Sequence, residues 1–375
     1  MAHPVYMDYN ATAPVRPEAA AAIAEALAQV GNASSVHGFG RLARGRIETA
    51  REQVAALAGV RPGQVVFTSG GTEANNLALA GVDRPRLLVS AGEHDSVLQA
   101  APRAERIALE SEGRVDLGAL SRLLAADRRP ALVSVMLANN ETGVLQPLAE
   151  VVALARAEGA LVHSDAVQAA GKIPLDMAAL GVDLLSLSAH KLGGPQGVGA
   201  LVVADGVGLE PLIRGGGQER ARRGGTENLA GIAGFGAAAE AAAGDLEGAA
   251  RLSVQRDRLE QGLRDLAPEA RVFGGGAPRL ANTSCFAVPG LAGETQVMAL
   301  DLAGVAVSAG SACSSGRVRA SHVLRAMGAS EEEAASAIRV SLGWRSEAGD
   351  VEGFLEAWAA LYQRCAESRS AVPAA

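Results

Sequence analysis

Five short stretches of the chain place reactive side chains just beyond apolar runs. "SGGTEAN", Ser69 to Asn75, follows one run and opens a helix, so Gly70 and Gly71 let backbone amides approach an anion where the helix N-terminus adds partial positive charge. "VHSDAVQ" puts Asp165 at the end of a second run, with Gln168 three residues on. "LSLSAHKLGGPQG" sets Ser188, His190 and Lys191 beyond a third; a lysine taken out of water holds its proton weakly and becomes an amine nucleophile. His94 in "EHDSV" and Asn140 in "ANNETG" also follow apolar runs. Taken singly, each has an ordinary explanation: a Gly-rich turn, a helix N-cap for Asp165, a solvated loop lysine, or hydrogen-bonded turn residues. The Gly-rich stretch matches neither the Walker A loop nor G-x-G-x-x-G. Together they supply an anion cradle, an acid, an amide, a lysine and an imidazole. A cofactor carrying a phosphate, a pyridinium nitrogen and an aldehyde would use all of them.

Cys313 stands apart, in "VSAGSACSSGRVRASH" from Val307 to His322. Small, flexible residues fill a core poorly, so this thiol points to reaction rather than packing. Cys285, in the alternating "NTSCFAV", reads as a small core residue, and Cys365, at the end of the last helix, as a structural or exposed thiol. No C-x-x-C pair exists, which argues against a disulfide framework and a structural zinc site.

These groups need a frame. From about residue 64 to 203, β-rich runs ("QVVFTS", "RLLVSA", "ALVSVMLA", "ALVHSD", "DLLSLS", "GALVVA") alternate with helical segments such as "PLAEVVALARAEG". That alternation predicts an α/β fold with a mainly parallel sheet covered on both faces, whose ligands gather at the carboxyl ends of the strands. Residues 226–267 read as one long Ala-rich helix leading out of this unit; the shorter elements beyond it, including a capping box from Ser330 to Glu333, predict a smaller α+β domain. With aromatics at only 3% of 375 residues, the cores must be filled by Ala, Leu and Val. A net charge of -7 with both signs interspersed disfavours direct nucleic-acid binding. "ALVSVMLA" is far too short to span a bilayer, and "MAHPVYMDYN" lacks signal-peptide features, so a cytoplasmic protein without membrane contact is expected.

The ordered series "YMDYNATAPV", "GNASSVHGFGRLAR", "FTSGGTEANN", "EHDSVL", "NNETGVLQP", "HSDAVQAAGK", "SAHKLGGPQGVGAL", "GGGQERARRGGTEN", "SAGSACSS" and "AIRVSLG" resembles the cysteine desulfurases, which belong to the class V aminotransferase family of pyridoxal-phosphate enzymes. The resemblance implies the fold type I transferase architecture, with a large cofactor-binding domain at 14–245 and a small domain, 1–13 plus 246–375, that carries the cysteine loop. It also implies roles. Lys191 would form the Schiff base with pyridoxal 5'-phosphate, Asp165 pair with the ring nitrogen, Gln168 bond the ring hydroxyl, His94 stack on the ring, and Asn140 lie beside it. Gly71, Thr72, Ser188 and His190 would bind the phosphate region, and Thr226 the phosphate of a neighbouring subunit in a homodimer. Arg339 would take the carboxylate of L-cysteine, with Lys191 as base, His94 as possible proton relay, and Cys313 receiving the sulfur as a persulfide. An iron-sulfur scaffold or another sulfur-acceptor protein would take it onward. Ala13 and Ala33 depart from the family's usual residues, and the chain stops soon after its final helix, where some relatives extend to dock the scaffold. Rival readings are selenocysteine lyase or transamination on the same fold, and a non-catalytic cofactor-binding subunit.

Overall fold

The computed structural model describes residues 4–309 and 320–370. Its larger sheet has seven strands in the spatial order Val65–Thr68, Gly199–Val203, Leu184–Ser188, Leu161–Asp165, Ala131–Ser134, Arg86–Ser90, Glu105–Ile107. Gly199–Val203 runs antiparallel to both its neighbours, and the remaining pairs are parallel. Strands Val65–Thr68, Ala131–Ser134, Leu184–Ser188 and Gly199–Val203 are buried at every residue, as a sheet covered on both faces requires. Successive side chains alternate between the two layers: Val65 and Phe67 enter one apolar core, Val66 the other.

The single long helix expected across 226–267 is two helices, Leu229–Gly244 and Gly248–Leu266. Glycines flank the break, where helix propensity is low, and Asp245 between them is drawn to Arg16 at 2.5 Å. Twelve of the sixteen residues of the first of these helices are Gly or Ala, which helps a core so poor in aromatics to close. A Cβ on Gly236 would lie 2.6 Å from the Ala50 Cα in helix Gly38–Leu57, so the two backbones approach more closely than larger side chains would allow.

A second, antiparallel sheet has the order Ser308–Ala309, Ile338–Ser341, Thr283–Ala287, Arg271–Val272. Its core includes Phe286, Phe354 and Trp358, and Trp358 satisfies its indole by donating to Gln296 Oε1 at 3.0 Å. Cys285 is fully buried in an adjoining cluster, where desolvation pushes its thiol far above the usual range. Cys365 is half-buried against the core around Trp358. Both halves of the Ser330–Glu333 capping box form. The N-terminus belongs to this region too: Val5–Tyr6 pairs in parallel with Val305–Ala306, and Asp8 bridges to Ser341. Among the described residues, no helix is long and apolar enough to cross a membrane, and no group of His, Cys, Asp or Glu is placed to hold a metal.

Candidate active site

At the carboxyl edge of the larger sheet lies a cavity of about 330 Å³. Gly71, Thr72, His94, Asn140, Asp165, Gln168, Ser188, His190, Lys191 and Arg339 all line it. Thr226 is exposed and lies outside this lining. Cys313 falls outside the described residues.

The anion cradle is built by two glycines. Gly70, with φ 156° and ψ 178°, adopts an extended backbone that side chains disfavour, and this turns the chain from strand Val65–Thr68 into helix Gly71–Gly81. On the neighbouring strand, a Cβ at Gly199 would sit 2.6 Å from the Gly70 carbonyl carbon, so the turn can seat only against glycine. The first amides of the helix, at Gly71 and Thr72, have no intrahelical acceptor, and both residues line the cavity. Glu73 braces the turn from outside by accepting from Ser69 N at 2.8 Å and Arg223 Nε at 2.9 Å.

Asp165 ends strand Leu161–Asp165 and is held at both oxygens: Oδ1 accepts from Val167 N at 2.9 Å, Oδ2 from Asn75 Nδ2 at 2.7 Å. Asn75 in turn donates to Ser96 Oγ at 2.8 Å, so helix Gly71–Gly81 fixes the direction of the carboxylate. Nearby, Glu93 is fully buried; desolvation first and the charge of Asp165 second push its carboxyl well above the ordinary range, favouring the protonated form. Glu93 Oε1 accepts from Met136 N at 2.6 Å.

Lys191 closes a short 3-10 turn, Ala189–Lys191, immediately after strand Leu184–Ser188. Its Nζ donates to the carbonyls of Asn10 at 2.5 Å and Ala11 at 2.9 Å. Burial, and next the charge of Arg339, lower its pKa to about 8 against the opposing pull of Asp8 and Asp165. The ammonium therefore gives up its proton far more readily than that of a surface lysine. His190 lies beside it, 3.2 Å from Thr12 Oγ1, and is lowered to about 4 by burial and by Lys191, so its ring is neutral at pH 7. His94 is the N-cap of Asp95–Leu98; its Nδ1 accepts from Ser96 N at 3.1 Å, which assigns any ring proton of the neutral form to Nε2. Its pKa is lowered by burial, although Asp165 favours the charged form.

Arg339 reaches the cavity from strand Ile338–Ser341 of the smaller sheet. Nη2 donates to Asp8 Oδ1 at 2.7 Å and Nη1 to the Asn140 carbonyl at 3.1 Å. Arg339 Nε and Asn140 Oδ1 are buried and have no hydrogen-bond partner among the described residues. Unused buried donors and acceptors at a cavity wall are the groups a bound molecule satisfies, and a carboxylate suits the guanidinium.

Sequence reasoning missed the residues that tie these walls together. Asn10 has one side-chain end on Thr283 Oγ1 (Nδ2, 2.9 Å) and the other on Lys172 Nζ (Oδ1, 2.9 Å), while its carbonyl accepts from both Lys191 and Gln168. Asp8, Asn10, Asn75, Glu93 and Lys172 all lie inside the motifs singled out above, and the available signal was a polar residue in a block otherwise made for packing. A second cavity, about 380 Å³ and lined by Tyr9, Arg16, Lys172 and Trp344 among others, shares only Lys191 with the first. The convergent acid, amine and helix amides lie in the first, so the chemistry is placed there.

The donor set fits pyridoxal 5'-phosphate: helix amides and Ser188 for a phosphate, Asp165 for a protonated ring nitrogen, and the Lys191 amine for an aldehyde. Comparison with known proteins agrees. The aminotransferase class-V model matches residues 5–354. A cysteine desulfurase of Cereibacter sphaeroides is 46% identical over 367 residues, covering 94% of this chain and 94% of that protein. A cysteine desulfurase of Sinorhizobium fredii is 42% identical, with 98% of each chain covered. The X-ray structure of a NifS-like protein from Rickettsia africae superposes with a TM-score of 0.90 at 36% identity, over 96% of this chain and 100% of the other. With full-length matches of this kind and a cavity of matching chemistry, the chain belongs to the class-V aminotransferase family, in its cysteine desulfurase group.

Proposed function

We propose that this protein is a pyridoxal-phosphate-dependent cysteine desulfurase that converts L-cysteine to L-alanine and leaves the sulfur on Cys313 as a persulfide. The observation that carries the reading is the convergence, in one cavity, of the easily deprotonated Lys191 amine, the doubly braced Asp165 carboxylate and the partly unpaired Arg339 guanidinium. When bound, the cofactor supplies an aldehyde for amine exchange and a ring that accepts electrons from the substrate's α-carbon.

The chain's own groups do the rest. Helix amides at Gly71 and Thr72, with Ser188 and His190, would anchor the phosphate; Asp165 would keep the ring nitrogen protonated; Gln168 would bond the ring hydroxyl; His94 would cover one ring face. Arg339 would orient the substrate by its carboxylate, with Asn140 alongside. Lys191 Nζ, freed by amine exchange, would remove the α-proton, and His94 could relay protons. The Cys313 thiolate would then bond to the substrate sulfur while the carbon–sulfur bond breaks, so that cysteine plus thiol becomes alanine plus persulfide with atoms and electrons balanced. We read residues 14–245 as the cofactor-binding unit and residues 1–13 plus 246–375 as the unit that brings Arg339 and Cys313 to it. Exposed Thr226 fits a contact to the phosphate of a second subunit in a homodimer. A cytoplasmic setting and a sulfur-acceptor protein, such as an iron-sulfur scaffold, complete the reading.

Alanine and sulfide measured together, with L-cysteine and a thiol reductant, test it. Equal release of both products, abolished in Cys313→Ala while the cofactor's visible absorption persists, is the expected result. Bound cofactor with neither product would favour a binding subunit, and aminotransfer surviving in the variant would favour a transaminase.

A further inference from the structure

Lys172 is a second lysine beside the site, and nothing in the reaction uses it. Its Nζ donates to Gln168 Oε1 at 2.8 Å and to Asn10 Oδ1 at 2.9 Å. Burial, and next the charge of Lys191, push the pKa of Lys172 well below the ordinary lysine range, but charged or neutral the amine keeps N–H donors for both oxygens, because the nitrogens of Gln168 and Asn10 are committed to other acceptors. Gln168 is 5% exposed, and its other end, Nε2, donates to the Asn10 carbonyl at 2.9 Å, which only accepts. The two partners therefore specify the same orientation of the amide independently. Its oxygen is consumed by Lys172, and one N–H remains at the cavity wall that Gln168 lines. Asn10 cannot exchange roles with Lys172, because its own Nδ2 is engaged by Thr283 Oγ1 at 2.9 Å and the Asn140 carbonyl at 3.2 Å.

We propose that Lys172 is a positioning residue: by occupying the oxygen of the Gln168 amide it turns the nitrogen to the cavity, so that Gln168 meets a bound ring only as a donor and selects the anionic form of the ring's hydroxyl oxygen. This rests on the pyridoxal-phosphate reading of the cavity. Without Lys172, Gln168 Oε1 is a buried acceptor lacking its donor, and only the bond from Nε2 to the Asn10 carbonyl holds the amide against rotation.

The test uses the full chain stripped of cofactor and titrated with pyridoxal 5'-phosphate or with its 3-deoxy analogue, which lacks only the ring hydroxyl. The wild type is expected to prefer the natural cofactor. Lys172→Met, similar in length but without donors, is expected to lose about fivefold of that preference by weakening the natural cofactor alone, the scale of one hydrogen bond. Lys172→Arg, again all donors, is expected to keep it. An unchanged ratio in Lys172→Met, or equal weakening of both ligands, would overturn the inference, since a residue that merely supports packing does not sense one ring oxygen. Should Lys172→Met not fold, the ratio in Lys172→Leu, which also lacks donors, decides in the same way. If the wild type binds neither ligand, the cofactor reading itself fails, and this inference with it.

Discussion

The two walls of the cavity are made in different ways. One wall rises from the strand ends of the larger sheet: Asp165, Ser188 and Lys191 each stand within three residues of a strand's last residue, and the local turn sets where the backbone of each lies. The other is assembled across the chain. Asp8 meets Arg339, and Asn10 meets Ser341, each over a separation of 331 residues, while Asn10 also meets Thr283 over 273. Reactive groups are thus placed by short-range geometry, whereas the contacts that tune and hold them come from afar. The lowered Lys191 pKa joins the two, since its second cause after burial is Arg339 on the distant wall.

Removing a reactive group from the first wall should have the largest effect. Lys191→Ala is expected to lower alanine formation by about 10³-fold or more, measured at saturating cofactor. A smaller effect would mean that a group on the other wall supplies the base.

The second wall contains a joint between the regions. Glu141, fully buried, accepts from Ser321 Oγ at 2.5 Å, and desolvation raises its pKa to about 7. Its folded value exceeds the unfolded one, so its stabilising contribution is complete below about 4.5 and is lost as pH rises through about 7. Glu141→Gln, a neutral isostere, should flatten that loss by about 2 kcal/mol, seen as a difference between variant and wild-type denaturation curves across this window. Parallel curves would show that the joint does not titrate.

Asp8→Asn tests the long-range partner of Arg339. Loss of the charge that directs the guanidinium should raise the KM for cysteine by about tenfold with kcat less affected. A fall in kcat alone would place Asp8 closer to the chemistry. The smallest effect belongs to the brace on the first wall: Asn75→Ala should weaken cofactor binding by about fivefold, one hydrogen bond to a charged acceptor partly replaced by water. If Asn75→Ala outweighs Asp8→Asn, the contrast between the walls is misdrawn.

The same contrast explains what could be read from the sequence. Apolar runs located six of the larger sheet's seven strands along the chain, and residues at or just past their ends gave Asp165, Lys191 and His94, because a strand end and its turn are written in adjacent letters. Short strand Glu105–Ile107 carried too little pattern to be recognised. The break at Asp245 had a local signal in the flanking Gly244 and Gly248, but among so many alanines it was read through, and the Arg16 partner of Asp245 lies 229 residues away. Asn10 and Lys172 were visible only as polar letters in a motif; their work depends on partners that no local window contains. Arg339 was identified through family resemblance rather than pattern, and its pairing with Asp8 was not foreseen.

The N-terminal strand carries a further consequence, for the order in which the protein is made. Val5 and Tyr6 pair with residues 305–306, and Asn10 takes its hydroxyl partners from residues 283 and 341. At ordinary translation speeds of about 5–20 residues per second, these first residues wait on the order of tens of seconds before their last partner leaves the ribosome. Until then the Lys191 amine has no carbonyls of Asn10 and Ala11 fixed to receive it. The larger sheet can form early, but the cavity is finished only once residue 341 has been made, and until then the segment around Asn10 stays open to chaperones.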